Sequence, residues 1–183
     1  MKNVTSEVST YGEWPAGRAP GSYAIERLPS QQKAGPEQDE IEQGARQALE
    51  TAGFTPVVEG AAPDVVVQIG ARITRFDRAP WDDPLWWHPY GGRWFGPARA
   101  GPYPYGPYSF WAWRMRYDRP EYLREVGLLI RDRATGRPLY EARARNDGIT
   151  SGSQALIGAM FVGALKDFPN VKNEPHDVAV QLP

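Results

Sequence analysis

Ala48-Leu49-Glu50-Thr51-Ala52-Gly53-Phe54, followed shortly by Ala62-Pro63-Asp64-Val65-Val66-Val67-Gln68-Ile69, joins the two kinds of element that build this chain. Upstream of Gly53, Ile41, Ala45, Ala48, Leu49 and Ala52 recur at helical spacing on one face, which predicts a helix from Pro36 to Ala52. Pro36 suits a first turn, and Glu37, Asp39 and Glu40 complement the positive helix start. With Glu42 they read as a solvated helix start. Gly53 supplies the C-terminal stop. Downstream, Val65, Val66, Val67 and Ile69 form the nearly continuous apolar run of a strand inside a sheet. Towards Phe76 the run interleaves Ile73 and Phe76 with Arg72 and Arg75, so that end is expected to be half exposed.

Working outward, Val4 to Tyr11 is β-branched and alternating, as in a strand. Gly12 to Gly21 holds Pro15, Gly17 and Pro20 and reads as a connection. Ser22 to Leu28 alternates again, with Tyr23 and Ile25 on one face, and Pro29 ends it. Beyond the middle of the chain, Tyr122 to Asp132, a turn at Ala134-Thr135-Gly136-Arg137, and Pro138 to Ala144 read as a β-hairpin. Ser151 or Ser153 caps a second helix running to about Phe168. Ile157, Met160, Phe161, Ala164, Leu165 and Phe168 share its apolar face, and Gly158 and Gly163 allow close approach. The end of the chain reads as a polar tail over residues 170–183, with one short extended piece, Val178-Ala179-Val180. The expected fold is α+β: a two-layer sandwich with one mixed, mostly antiparallel sheet of about five strands and both helices on one face. The chain is read as one domain, 1–183, interrupted by a long insert at 80–113.

This layout resembles the DUF4136 family of bacterial envelope proteins. The residues that carry the likeness are Ser22-Tyr23-Ala24-Ile25; Ala48 to Phe54 with Ala62 to Val67; and Leu128 to Asp132 with Thr135-Gly136, then Leu165 through Phe168-Pro169. Together they span roughly 22–79 and 119–169. The resemblance implies an exported protein on the periplasmic side of the envelope, an outer-membrane lipoprotein whose signal and acylated cysteine lie outside this sequence. On that reading, membrane association runs only through such an N-terminal anchor. The family has no established activity and so assigns no catalytic residue.

Composition narrows the alternatives. The chain has 183 residues, a formal net charge of −1 and no cysteine. Near-neutral charge argues against a nucleic-acid partner, whose binding rests on phosphate neutralisation. Disulfides, thiolate nucleophiles and cysteine-held metals are excluded. The longest apolar run, Ala155 to Leu165, is shorter than the ~20 residues a membrane helix needs.

Motifs for chemistry are sparse. The only histidines are His88 and His176, and neither accompanies a Gly-x-Ser-x-Gly turn. No glycine-rich phosphate loop occurs, and no cofactor is expected. Asp82, Asp83 and His88 have suitable metal-ligand chemistry, but at a spacing that matches no metal motif, so no metal site is assigned. Asp132 and Asp147, with Arg131, Arg133, Arg143 and Arg145, read as the solvent face of the hairpin.

The remaining feature is the insert. Residues 80–113 hold 12 of the chain's 22 aromatic residues, punctuated by proline and glycine. Trp81, Trp111 and Trp113 lie near its two ends. Trp111 and Trp113 lead back into regular structure and are expected in the core. Trp86, Trp87, Tyr90, Arg93, Trp94, Tyr103, Tyr105 and Tyr108 form the candidate contact surface, because Trp, Tyr and Arg dominate binding hot spots. The alternatives for the insert are packing over the exposed sheet face, contact with lipid headgroups, stacking of sugar rings, or self-association. The expected function is therefore a non-catalytic envelope domain that binds a protein or glycan partner, or itself, through the insert. The alternative is a carbohydrate-active hydrolase whose cleft the insert builds, with Asp82, Asp83 and Glu125 as the nearby carboxylates.

Overall fold

The computed structural model describes residues 3–33, 35–76, 121–172 and 174–182. Nine elements follow in chain order: β1 (Asn3–Gly12), β2 (Ser22–Ile25), α1 (Pro36–Thr51), β3 (Thr55–Pro56), β4 (Val65–Phe76), β5 (Glu121–Asp132), β6 (Pro138–Gly148), α2 (Gln154–Leu165) and β7 (His176–Gln181). The strands form one sheet in the order β3-β2-β4-β5-β6-β1-β7. β2 lies parallel to β3 and β4, and every other pairing is antiparallel. The fold is the α+β sandwich expected from the pattern, with seven strands where about five were expected. The two extra strands have weak sequence signals. β3 is two residues long, and β7 lies within the stretch read as a tail.

α1 begins at Pro36, with Glu37 and Asp39 in its first turn. It ends in a Schellman motif: Gly53 stands at φ +98°, its amide donates to Glu50 O, and the Phe54 amide donates to Leu49 O. The two side chains that flank this turn, Leu49 and Phe54, are both buried. α2 opens with Ser153, whose hydroxyl accepts the Leu156 amide at 3.3 Å. Its residues are apolar on nearly every side, the mark of a helix enclosed by neighbours. One side meets the sheet and another meets α1, while Gly163 lets it settle on Val178 and Val180 of β7.

Alternation sorts each strand into two faces. Val4, Val8, Val65, Val67, Ile69, Val126, Leu128, Ile130, Tyr140, Ala142 and Ala144 point towards the helices and are buried with Leu49, Met160 and Phe161. At one end of the sheet the rings of Trp14, Phe54, Tyr140 and Phe168 pack with centroids 4.8–5.8 Å apart, edge to face except for the tilted Phe54–Phe168 pair. Phe54 and Phe168 belong to two of the three stretches that carried the family likeness, and here they touch. Burial pushes the Tyr140 hydroxyl up to about 12, so it stays protonated under all ordinary conditions.

One helix residue departs from expectation. Glu42, read from sequence as solvated, is 5% exposed. Arg27, which follows β2, donates to it at 2.5 Å and also bonds Asp39, while Arg46 approaches it at 3.5 Å. The loop from β2 folds back over the start of α1 and covers this carboxylate, a contact no helical periodicity announces.

Candidate functional site

The second face of the sheet carries neither helix, and its centre is hollow. Gly70 of β4 lies directly opposite Gly127 of β5, and Gly127 opposite Arg143 of β6, which in turn faces Ser9 of β1. Neither glycine has the positive φ that demands glycine. A Cβ at Gly70 would meet nothing within 4 Å, and one at Gly127 would touch only Ala142 O and Arg143 Cγ, both at 3.9 Å. Glycine within a strand costs about 0.5–1 kcal/mol relative to alanine. Neither backbone geometry nor packing among the described residues calls for it at these two positions. What the pair provides is a bare floor, and above it lies a trough of about 510 Å³.

The rows on either side form the walls. On one side a charge ladder crosses four strands: Arg72, Glu125, Arg145 and Glu7, each opposite the next in register. Arg72 binds Glu125 at 2.7 Å. On the other side Tyr11 lines the trough with Ser9 and Arg143, while the rest of Tyr11's register row, Gln68, Leu129 and Glu141, lies beyond the lining. Arg143 starts from the floor row, but its guanidinium is held by Glu141 at 2.7 Å. Arg72, Arg143 and Arg145 are thus matched by Glu7, Glu125 and Glu141, so these groups sum to no net charge. Tyr11, 53% exposed, lies at the β1 end. The Arg72 and Gln68 rows stand about 13 Å apart along the strands, and β4 to β1 spans about 14 Å across them.

Other polar groups serve the fold. Asp64 accepts from the Ser22 amide and hydroxyl, at 2.7 and 2.9 Å, and these bonds hold its carboxyl below the usual range. Asp132, placed by sequence on an exposed face, instead accepts from Thr135 and from Arg18, which lies over the Trp14 ring. On the helix side, His176 and Lys172 both reach Asp167, at 2.5 and 3.1 Å, tying β7 to the end of α2. Among the described residues no three histidines or carboxylates gather as a metal site. No described helix is long and apolar enough to cross a membrane.

The contact residues expected from sequence, Trp86, Trp87, Tyr90, Arg93, Trp94, Tyr103, Tyr105 and Tyr108, lie outside the described residues, as do Asp82, Asp83, His88, Trp111 and Trp113. The described residues nearest the insert are Phe76 and Glu121. They are register partners at the ends of β4 and β5. Glu125, the third carboxylate nominated for hydrolysis, lies in the charge ladder with Arg72. The trough was missed from sequence. Its signal was a lone glycine inside each of two strand patterns, Gly70 and Gly127, whose opposition only the pairing register reveals.

Residues 7–170 match the model of the domain of unknown function DUF4136. No curated protein matches the chain. Among solved structures, it is similar to a PDZ domain protein from Parabacteroides distasonis ATCC 8503, with 15% identity and a TM-score of 0.53. That likeness covers 97% of this chain and 38% of the other, so the chain spans well under half the length of that protein. It is also similar to the PelC dodecamer from Paraburkholderia phytofirmans, with 12% identity, a TM-score of 0.45, and 87% and 94% of the two chains covered. The first of these likenesses concerns the fold alone.

Proposed function

The chain belongs to the DUF4136 family, and from that premise we propose that it is a non-catalytic binding domain of the bacterial envelope. It acts on the periplasmic side, held by a lipid anchor at the outer membrane, and takes a protein or glycan partner, or a second copy. The observation that carries the reading is the sheet face without helices, where two glycines that packing among the described residues does not require leave a recess at the centre of the seven-stranded sheet. The aromatic segment 80–113 extends the contact surface. The described residues nearest to it in sequence, Phe76 and Glu121, are register partners on the same two strands that form the trough floor. Trp86, Trp87, Tyr90, Arg93, Trp94, Tyr103, Tyr105 and Tyr108 supply its anchors. A hydrolase would need a free pair of carboxylates facing one substrate, whereas Glu125 and Glu141 are each engaged by an arginine, Arg72 and Arg143.

The test is capture from envelope extracts with the whole chain and with a variant lacking residues 84–108. The expected result is a partner retained by the first and lost by the second, with the thermal midpoint of Trp86→Ala/Trp87→Ala close to wild type. Identical capture by both proteins would remove the insert from the contact surface. A large loss of stability in the double variant would reassign the rings to the core.

A further inference from the structure

We propose that the Gly70–Gly127 trough binds an uncharged saccharide. The inference rests on the reading of the chain as a binding domain and names the ligand class for one part of its surface. It starts from the charges. Arg72 and Arg143 already hold Glu125 and Glu141 at 2.7 Å, and Arg145 lies between Glu125 and Glu7 in register. In the trough an anionic ligand would meet Glu7 and Glu125, and a cationic one would meet Arg72, Arg143 and Arg145. A neutral ligand meets neither penalty.

The same groups remain strong hydrogen-bonding partners. A guanidinium has five N–H donors and a carboxylate about four acceptor sites, so one ion pair leaves capacity on both. Arg72 and Arg143 are 74% and 70% exposed at the side chain, which puts that capacity within reach of a ligand. Alternating planar donors and acceptors suit neighbouring hydroxyls on a sugar ring, each of which both donates and accepts. An apolar ligand would cover these groups and replace none of their water contacts, leaving them unsatisfied. The floor completes the fit. With no side chain at Gly70 or Gly127, the C–H face of a ring can lie on the strand backbone, and Tyr11 offers a second flat surface at the far end. The trough volume falls within the range of small-ligand sites.

The probes are two neutral oligosaccharides, cellohexaose and chitohexaose, titrated into the whole chain by calorimetry and followed by NMR. A charged control, the chitosan hexamer, accompanies them. We expect a Kd at or below about 1 mM for at least one neutral probe, changing less than about twofold between about 50 and about 500 mM NaCl. Gly127→Leu and Gly70→Val place side chains in the open space above the floor. Each is expected to weaken binding by about tenfold or more with the thermal midpoint preserved. Tyr11→Ala is expected to weaken it less. Two glycine variants are used so that a fold defect in one leaves the other as the test.

The proposal is overturned if neither neutral probe binds, if both glycine variants bind like wild type, or if only the charged hexamer binds with a steep salt dependence. Failure here is separable from failure of the broader reading. If neither neutral probe binds while envelope capture still depends on residues 84–108, the saccharide proposal falls and the binding domain stands. If saccharide binding survives removal of residues 84–108 and is lost in Gly127→Leu, the trough is the site and the insert is not required for it.

Discussion

Asp132 shows how much a single side chain can depend on distant parts of the chain. Thr135 donates to it from its hydroxyl and amide, and Arg18, from the β1–β2 connection, donates at 2.8 Å. These bonds, the Thr135 hydroxyl first, hold its carboxyl at about 2. An unfolded aspartate titrates near 3.9. The folded value is the lower one, so the stabilisation is complete above about pH 4 and is lost as pH falls through about 2. Asp132→Asn is therefore expected to lower the midpoint at neutral pH and to flatten its fall between about pH 4 and about pH 2. Thermal unfolding across that interval checks this, and parallel curves for the two proteins would contradict it. The local half of the arrangement, an aspartate followed three residues later by a threonine in a turn, is visible in sequence. Arg18, 114 positions away, is not.

At the scale of elements, the helix layer turns on two glycines of unequal tolerance. A Cβ on Gly44 of α1 would stand 3.1 Å from Gly158 Cα, whereas one on Gly158 would stand 3.8 Å from Gly44 Cα, an ordinary contact. Gly158→Ala is thus expected to stabilise the protein by about 0.5–1 kcal/mol through helix propensity. Gly44→Leu is expected to destabilise it by about 1–3 kcal/mol by forcing the helices apart. Urea unfolding of both variants measures the pair. Equal effects would mean that the helices do not approach as described. The helices, their caps and the glycine stop were legible because each depends on neighbours within a few residues. Ser153 is the cap, as the pattern suggested. Which glycine faces which helix was not legible, since that depends on how two separate cylinders rotate against each other.

For the whole molecule, the chain's two ends meet. β1 lies between β6 and β7, and Val4 and Val8 face Val180 and His176 across the last ladder. Lys166 donates to Ala179 O at 3.0 Å, a further tie from the end of α2. A chain ending at residue 173 is expected to lose this strand's cover. It would expose Val4 and the flank of α2, unfold at a lower temperature and self-associate along the bare edge of β1. Thermal denaturation with size-exclusion chromatography tests this, and a monomer with an unchanged midpoint would count against it. The open face also belongs to this scale. Its charge ladder takes one residue from each of four strands, and its floor exists because two glycines come into register.

What the sequence determined by itself was everything set by short-range chemistry: two helices with their capping signals, five of the seven strands including the hairpin, the α+β class and the family likeness. Periodicity, caps and turns act over a few residues and are written where they act. The tertiary structure alone decided the order of the strands, the place of the last strand beside the first, the burial of Glu42 and the trough over Gly70 and Gly127. Each depends on residues brought together by the pairing register and by chain reversal. A glycine in one strand has no meaning for binding until the sheet sets another opposite it.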